Sequence, residues 1–318
     1  MDSALNPEHG SIVLSRDGLI AQVIGIPRPP GMVPVIPKYR LCEGSLWSRS
    51  GVHLCRVIEM YGPRGLSDSI ARYGFREAID GIYSSPIPYI RLSDIVELIR
   101  PREAFERVTR RPANTLHYKL IEIAYMLIEN GLNHEELGLT GSIAFGSDNP
   151  AVSDIDLIVY GSRASRVMYR VFAELTPEKE KNILSDFGGL TINPPLDITW
   201  RRRTIMRVQV AWTGIPLVGD LCKPLREYYN IPSPWKPIRL SVEVEARQET
   251  SLLYPPCAKT RDGLYIVSFE YNIAPILYNG GLLEISGLES IDGSVIYLAT
   301  RQYPGSITFY SISPILSK

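Results

Sequence analysis

Apolar residues recur with two different periods along this 318-residue chain, and the two periods predict helices and strands in different segments. The clearest helical pattern covers 115–131, where apolar residues form one stripe and Gly131 supplies a stop. The same period of about 3.6 residues predicts a second helix at 162–175. We expect two more helices over 66–80 and 92–110, each with a Ser-Asp pair near its start that can cap it.

Alternation of apolar and polar residues predicts strands elsewhere. Two such runs at 19–26 and 32–39 flank the turn-rich PRPPG, which favours an N-terminal hairpin. The three prolines of 228–240 mark a linker. Beyond it, short alternating runs separated by Gly-rich turns predict a small all-β domain over 241–318.

Residues 138–161 carry the residue types that metal chemistry requires. An apolar run ends at Gly141-Ser142, turn residues follow, and Asp154 and Asp156 then enter a second apolar run. Because strand side chains alternate between faces, both carboxylates project to the same side. Neighbouring carboxylates repel each other unless a cation lies between them, and hard oxygen ligands suit Mg²⁺. The pair therefore predicts a site for Mg²⁺ or Mn²⁺.

Gly141 and Ser142 predict a phosphate cradle beside that ion. Glycine lets the backbone approach a ligand closely, and Ser142 can open a helix whose free N–H groups face an anion. A phosphate cradle next to a divalent cation is what the phosphoryl chain of a nucleoside triphosphate such as ATP requires.

This segment resembles the DNA polymerase beta superfamily of nucleotidyltransferases, which is marked by Gly-Ser and, about a dozen residues later, Asp-apolar-Asp. Here the eleven residues 143–153 separate Ser142 from Asp154. Ser147 matches the second small polar residue of the minimal nucleotidyltransferases, whereas the arginine usual in that loop is missing. The resemblance implies an α+β fold with a central mixed sheet and helices, and Gly141, Ser142 and Ser147 as nucleotide-binding residues.

Most of the chain is also similar to an archaeal family of predicted nucleotidyltransferases. This similarity rests on the opening DGLIAQVIGIPRPPGMVPVIPKYR, the central motif and the later PPCAKTRDGLYIVSFEYN. That family implies an N-terminal β-rich segment, a central nucleotidyltransferase domain and a small C-terminal β domain. We therefore expect a β-hairpin and helical segment in 1–114, a nucleotidyltransferase domain in 115–227, a Pro-rich linker in 228–240 and the β domain in 241–318.

The reaction that the resemblance implies is attack by a hydroxyl on the α-phosphorus of a nucleoside triphosphate, with release of pyrophosphate. Two metal ions can hold the attacking and leaving oxygens, which requires a third carboxylate on a neighbouring strand. We favour Asp220, because residues 207–212, the Thr213-Gly214 turn and residues 215–221 read as a hairpin. Asp197 is the alternative third ligand, and its short strand ends in three arginines.

Two functions follow from these residues. The first is a metal-dependent nucleotidyltransferase with catalytic and metal-binding Asp154, Asp156 and Asp220, whose acceptor is RNA, a protein or a small molecule. The second is a non-catalytic module that binds a nucleotide or RNA on the same fold. Because every residue that activity requires is present, the sequence favours the enzyme.

Arg201-Arg202-Arg203 and Arg207 form the densest basic run of the chain. Arginine binds phosphate through two parallel hydrogen bonds, so the run could steer a triphosphate or a nucleic-acid backbone to the site. The alternative is a solvated strand edge with ion pairs. Trp200 and Trp212 could stack on a base, but large aromatic residues at strand spacing more often lie in a core.

Composition narrows the remaining classes. Thirty-four basic residues balance 34 acidic ones, so no chain-wide field attracts nucleic acid. No apolar run approaches the ~20 residues that cross a bilayer, which favours a cytoplasmic protein without a membrane partner. Arginine outnumbers lysine 26 to 8, which suggests a heat-adapted source. The four cysteines lack zinc-ligand spacing and are predicted to be ordinary core or surface residues, with a Cys42–Cys55 disulfide in a heat-adapted cytosol as the alternative.

Overall fold

The computed structural model describes residues 6–25, 31–60, 62–80, 85–175, 183–227 and 236–310. The described chain mixes helices and strands, which confirms the predicted α+β class. Its strands form three sheets, and the central one carries the Asp154–Asp156 segment.

The N-terminal sheet is antiparallel and, among the described residues, has eight strands. The order is β4-β5-β3-β2-β1-β8, while β7 pairs with β3 and β6. The β2–β3 pairing confirms the predicted hairpin, whose residues 26–30 lie outside the described ranges. The elements are β1 (Ile12–Ser15), β2 (Leu19–Val23), β3 (Met32–Leu41), β4 (Trp47–Arg49), β5 (Val52–Arg56), α1 (Gly62–Tyr73), β6 (Glu77–Asp80), β7 (Ser85–Arg91) and β8 (Ile95–Ile99).

Two helices predicted in this part of the chain form over only about half of the predicted residues. Helix α1 ends before Gly74, which has a φ of +63°, and the rest of 66–80 pairs with β7 as β6. Residues 95–99 form β8 rather than a helix. Ile95 and Ile99 are both buried there, and a spacing of four places two side chains on the same face of a helix or of a strand. The pattern could not separate the two.

The central sheet has the order β13-β14-β10-β9, in which β10 and β14 are parallel and the outer pairs are antiparallel. Helix α5 crosses over between β10 and β14, as a parallel pair requires. Helices α3 and α5 confirm the predicted helices at 115–131 and 162–175. The elements are α2 (Pro101–Arg110), α3 (Thr115–Glu129), β9 (Leu137–Thr140), α4 (Gly141–Phe145), β10 (Ile155–Tyr160), α5 (Ser162–Glu174), β13 (Arg202–Ile205) and β14 (Val208–Ile215).

The two faces of β10 meet different neighbours. Ile155, Leu157 and Val159 join the main hydrophobic core together with buried residues of α3 and α5. Asp156, Ile158 and Tyr160 point to the other face, against which the N-terminal sheet packs. The candidate site therefore lies between two sheets rather than on an open surface.

The third sheet crosses the boundary that the sequence predicts between a central and a C-terminal domain. Its order is β11-β12-β20-β18-β19-β17-β16, with β15 paired to β18, so a hairpin from within 115–227 pairs with the last described strand. Residues 236–240 of the expected linker lie in β15, and 228–235 lie outside the described residues. The elements are β11 (Ile183–Phe187), β12 (Leu190–Asp197), α6 (Lys223–Glu227), β15 (Lys236–Val244), β16 (Cys257–Lys259), β17 (Tyr265–Ser268), α7 (Ala274–Asn279), β18 (Gly281–Glu289), β19 (Val295–Leu298) and β20 (Ser306–Phe309).

All four cysteines form disulfides. Cys42 and Cys55 are joined near the ends of β3 and β5, as the sequence allowed. Cys222 is joined to Cys257 in β16, a pair that lacks any local spacing signal because the two residues are 35 positions apart. No described helix combines the length and the apolar character that crossing a membrane requires.

Candidate functional site

A row of four residues crosses the central sheet at Asp156. Antiparallel pairing places Thr140 of β9 opposite Asp156, and parallel pairing places Ala211 of β14 on its other side. Arg202 of β13 lies opposite Ala211. Because paired residues share a face of a sheet, Thr140, Asp156, Ala211 and Arg202 project to the same side.

Gly141 brings the backbone against the Asp156 carboxylate. Its φ is +70°, in the left-handed region, and a Cβ at this position would overlap Asp156 Oδ2. Any other residue would be strained and would fill the space over the carboxylate. Helix α4 begins here but has only five residues, so its dipole is small, and Ser142 lies inside it rather than capping it. The approach to an anion therefore depends on Gly141.

Three charged side chains of this site make no hydrogen bond or ion pair with the described residues. They are Asp154, Asp156 and Arg202, and all three are half-buried. In the loop after α4, the hydroxyl of Ser147 is buried and also has no hydrogen-bond partner in the described part of the chain. Buried polar groups in folded proteins are nearly always satisfied, so Ser147 and the three charged side chains are candidates for contact with a ligand.

Burial, followed by repulsion from Asp154, raises the pKa of Asp156 to about 6. Three cations oppose this shift: Lys38 of β3, Arg202 and Arg201. Lys38 belongs to the N-terminal sheet, and no motif around it marks it as a site residue. Two carboxylates and three cations therefore meet between the sheets, a mixture suited to an anion that carries its own metal ion.

Asp220, which the sequence favoured as the third carboxylate, does not lie in this cluster. Its Oδ2 accepts hydrogen bonds from the backbone N–H of Ser162 (3.0 Å) and of Leu217 (3.2 Å), and its Oδ1 accepts one from Ser162 Oγ (3.0 Å). Ser162 follows the C-terminal end of β10, and a rise of about 3.3 Å per residue puts it roughly 20 Å along the chain from Asp156. Asp220 instead caps α5.

The hairpin that supported Asp220 is wrong. The actual turn lies at Met206 and Arg207, which both have positive φ and connect β13 with β14. Strand β14 continues through Thr213-Gly214 instead of turning there. A Cβ at Gly214 would overlap Ser165 Oγ and the Leu252 carbonyl. This glycine therefore permits a close approach of backbone rather than a turn.

Asp197 does not supply the third carboxylate either. Its side chain accepts a hydrogen bond from the Thr199 backbone N–H (2.9 Å) and caps a short 3₁₀ helix. Its charge acts on Arg203, which donates to the Phe172 carbonyl of α5 and so lies on the opposite face from Arg202. The position next to Asp156 on β14 is Ala211, which has no ligand atom.

A cluster that sequence reasoning missed anchors the loop between α4 and β10. Asp148 accepts a hydrogen bond from Asn114 Nδ2 (2.8 Å) and lies 3.2 Å from His117 Nε2. His117 Nδ1 accepts from the Ala113 backbone N–H, so the ring proton lies on Nε2 and faces the carboxylate. Burial raises the pKa of Asp148, but the hydrogen bonds from His117 and Asn114 outweigh it and hold this pKa below its usual value. The only sequence signal was Asn114 as the cap of α3.

The donor set fits one magnesium ion better than two. Asp154 and Asp156 provide two carboxylates, and Mg²⁺ commonly takes one or two carboxylates with waters and substrate phosphates. No group of three His, Cys, Asp or Glu in the described part of the chain could enclose a metal ion. An ion here would therefore take its other ligands from water and from a bound phosphate.

Comparisons of the chain with protein-family models, curated proteins and solved structures gave no match. The resemblance to nucleotidyltransferases therefore rests on the sequence of the Gly141 to Asp156 segment alone.

Proposed function

We propose that this chain binds a nucleoside triphosphate together with one Mg²⁺ or Mn²⁺ ion on the face of the central sheet that carries Asp154 and Asp156. The observation that carries the proposal is the pair of half-buried carboxylates Asp154 and Asp156, which have no hydrogen-bond partner among the described residues, with the Asp156 carboxylate lying against Gly141. Unpaired buried charge is costly, and a divalent cation removes that cost while leaving coordination positions for phosphate.

The remaining groups support the same ligand. Gly141 exposes backbone where a side chain would exclude a phosphate. Arg202 and Lys38 place positive charge on either side of the carboxylates, from β13 and from the N-terminal sheet. The bound ion would neutralise part of the phosphate charge, and Arg202 is placed to hold the rest through charge-assisted hydrogen bonds.

Nucleotidyl transfer is the second candidate, because Gly141-Ser142 and Asp154-Ile155-Asp156 stand at the spacing of the nucleotidyltransferase motif. In this reaction an acceptor hydroxyl oxygen bonds to the α-phosphorus, the bond from that phosphorus to the bridging oxygen of the β-phosphate breaks, pyrophosphate leaves and the hydroxyl proton passes to solvent. Turnover with two metal ions would need a third carboxylate next to Asp156, and Ala211 occupies that position on β14. We therefore place binding without turnover first.

The test is calorimetric titration of the protein with ATP, CTP, GTP and UTP in the presence of Mg²⁺. We expect at least one triphosphate to bind and the double variant D154A/D156A to lose that binding. D68A, which removes an exposed carboxylate from α1, is the matched control and should bind as the wild type does. Equal affinity in the double variant would remove both residues from the site.

Incubation with α-labelled triphosphates and RNA, protein or small-molecule acceptors separates the two candidates. Label transferred to an acceptor, and absent with D156N, would establish the transferase. Binding of a triphosphate without transfer of label to any acceptor would support the non-catalytic binding module.

A further inference from the structure

A cavity of about 90 Å³ lies between the N-terminal sheet and the third sheet, which contains β11, β12 and β15 to β20. Aliphatic side chains of the N-terminal half form one wall, and aromatic rings of the C-terminal half form the other. The residues that matter below are Ile24, Ile36, Ile58, Leu66, Tyr254 and Phe269. We call this cavity the apolar subsite.

The apolar subsite adjoins the Asp156 row through strand β2. Gln22 pairs with Ile36 of β3, and its amide donates to Thr140 Oγ1 at 3.2 Å. Thr140 is the direct neighbour of Asp156. Ile24 follows Gln22 by two residues, a step of roughly 7 Å along an extended chain, and lines the cavity. One short segment of β2 and β3 thus borders both the charged row and the cavity.

Two polar side chains of the lining already make hydrogen bonds within the protein. Thr300 Oγ1 donates to the Tyr303 carbonyl (2.9 Å) and accepts from the Tyr303 N–H (3.0 Å). Arg301 donates to Ser67 Oγ (2.9 Å) and to the Pro86 carbonyl (3.1 Å), and it pairs with Glu77. Most of the other lining residues are apolar, so the cavity favours an apolar group.

Size limits that group. This cavity is smaller than the cavity of about 150 Å³ that holds benzene, but it is not fully enclosed. It can take a branched aliphatic group or part of one aromatic ring, with the remainder of the ligand outside, and it is too small for a peptide segment or a two-ring base. Tyr254 forms a fixed wall, because its ring packs against His9 at a centroid distance of 4.7 Å.

We propose that the apolar subsite binds the aliphatic or single-ring aromatic group of a small molecule whose polar end lies at the Asp156 row. The assignment of that molecule as the acceptor or second ligand rests on the function proposed above, whereas the cavity as an apolar site does not.

The experiment uses benzyl alcohol as the probe and saturation-transfer NMR, with a titration for affinity, as the measurement. Wild-type protein should show transfer to the ring protons. L66W fills the cavity from the partly exposed α1 and should weaken the affinity at least tenfold. L46W makes the same replacement at a side chain that is 71% exposed and should bind as the wild type does. L66A enlarges the cavity and should admit indole, which we expect the wild type to reject.

No transfer in the wild type, or equal affinity in wild type and L66W, would overturn the apolar subsite. The L66A arm gives a gain of binding, so the test does not depend on L66W folding well. MgATP titration of the same samples separates this proposal from the proposed function. Benzyl alcohol binding without MgATP binding would keep the apolar subsite and overturn its link to a nucleotide, and the reverse result would overturn the subsite alone.

Discussion

The two ends of strand β10 carry carboxylates of opposite character. At the C-terminal end, Asp220 accepts three hydrogen bonds and fixes the start of α5. At the N-terminal end, Asp154 and Asp156 accept none from the described residues. Both ends lie where a helix and a strand meet, and both contain a glycine at positive φ, Gly161 and Gly141.

The difference shows how a structural carboxylate is distinguished from a candidate ligand-binding one. In sequence, Asp220 and Asp156 look alike, since each is an aspartate next to an apolar run. Their hydrogen bonds differ, because Asp220 uses both oxygens for the fold and Asp156 leaves both available. Leaving a half-buried charge unpaired costs stability, and this cost is the reason that we propose the N-terminal end of β10 as the ligand site.

The largest effect should come from filling the backbone cradle. G141V places a branched side chain in the left-handed region and against Asp156, and we expect a loss of MgATP affinity of more than about 100-fold, or ~2.7 kcal/mol. G74V is the matched control, because Gly74 also has positive φ but has open space around it. It should lose stability through backbone strain and keep its affinity in calorimetry. Equal affinity losses in both variants would contradict the cradle.

The second prediction tests the opposite end. D220A leaves the Ser162 and Leu217 N–H groups without their acceptor, and we expect the free energy of unfolding in urea to fall by about 2 kcal/mol. MgATP affinity should stay within about twofold of the wild type, since the site is at the far end of β10. A tenfold loss of MgATP affinity with little loss of stability would show that Asp220 contributes to ligand binding rather than to the fold.

The third prediction uses pH. The pKa of Asp156 is raised in the folded protein, so the stability that this group contributes is fully present below its unfolded pKa and is lost as pH rises through about 6. D156N removes the charge and should stabilise the ligand-free protein at pH 8 by about 2 kcal/mol, with little effect at pH 4. Urea unfolding at both pH values measures this, and a variant less stable than wild type at pH 8 would contradict it.

The smallest effect concerns Arg202. R202Q should weaken MgATP binding about fivefold, or ~1 kcal/mol, because it removes one charge-assisted phosphate contact. R207Q, at an exposed turn position of the same basic run, should leave the affinity unchanged. Similar losses in both variants would indicate a general attraction to the basic run, which raising the salt concentration would abolish.

Local patterns predicted the elements whose contacts are close in sequence. Helices α3 and α5 follow from their own apolar stripes, and Asp154 and Asp156 follow from strand alternation. The basic run that contains Arg202 was a sequence candidate, but Lys38 could not be predicted, because it lies on β3 of a different sheet and acts on Asp156 only through the packing of the two sheets. The same holds for β12, which pairs with β20 more than 100 residues later. The predicted turn at Thr213-Gly214 was wrong, because turns and close backbone contacts both require glycine and the sequence does not distinguish them.

The Cys222–Cys257 disulfide turns the segment from 223 to 256 into a covalent ring. Residues 228–240 lie inside that ring, so a single proteolytic cut among them opens the ring without dividing the molecule. The two pieces of the cut protein stay together until the disulfide is reduced. A cut before Lys236 leaves strand β15 joined through the backbone to Cys257. Strands β16 to β20 are thus joined to the chain before Cys222 both by the backbone and by the disulfide, so one cut between the two cysteines does not release them.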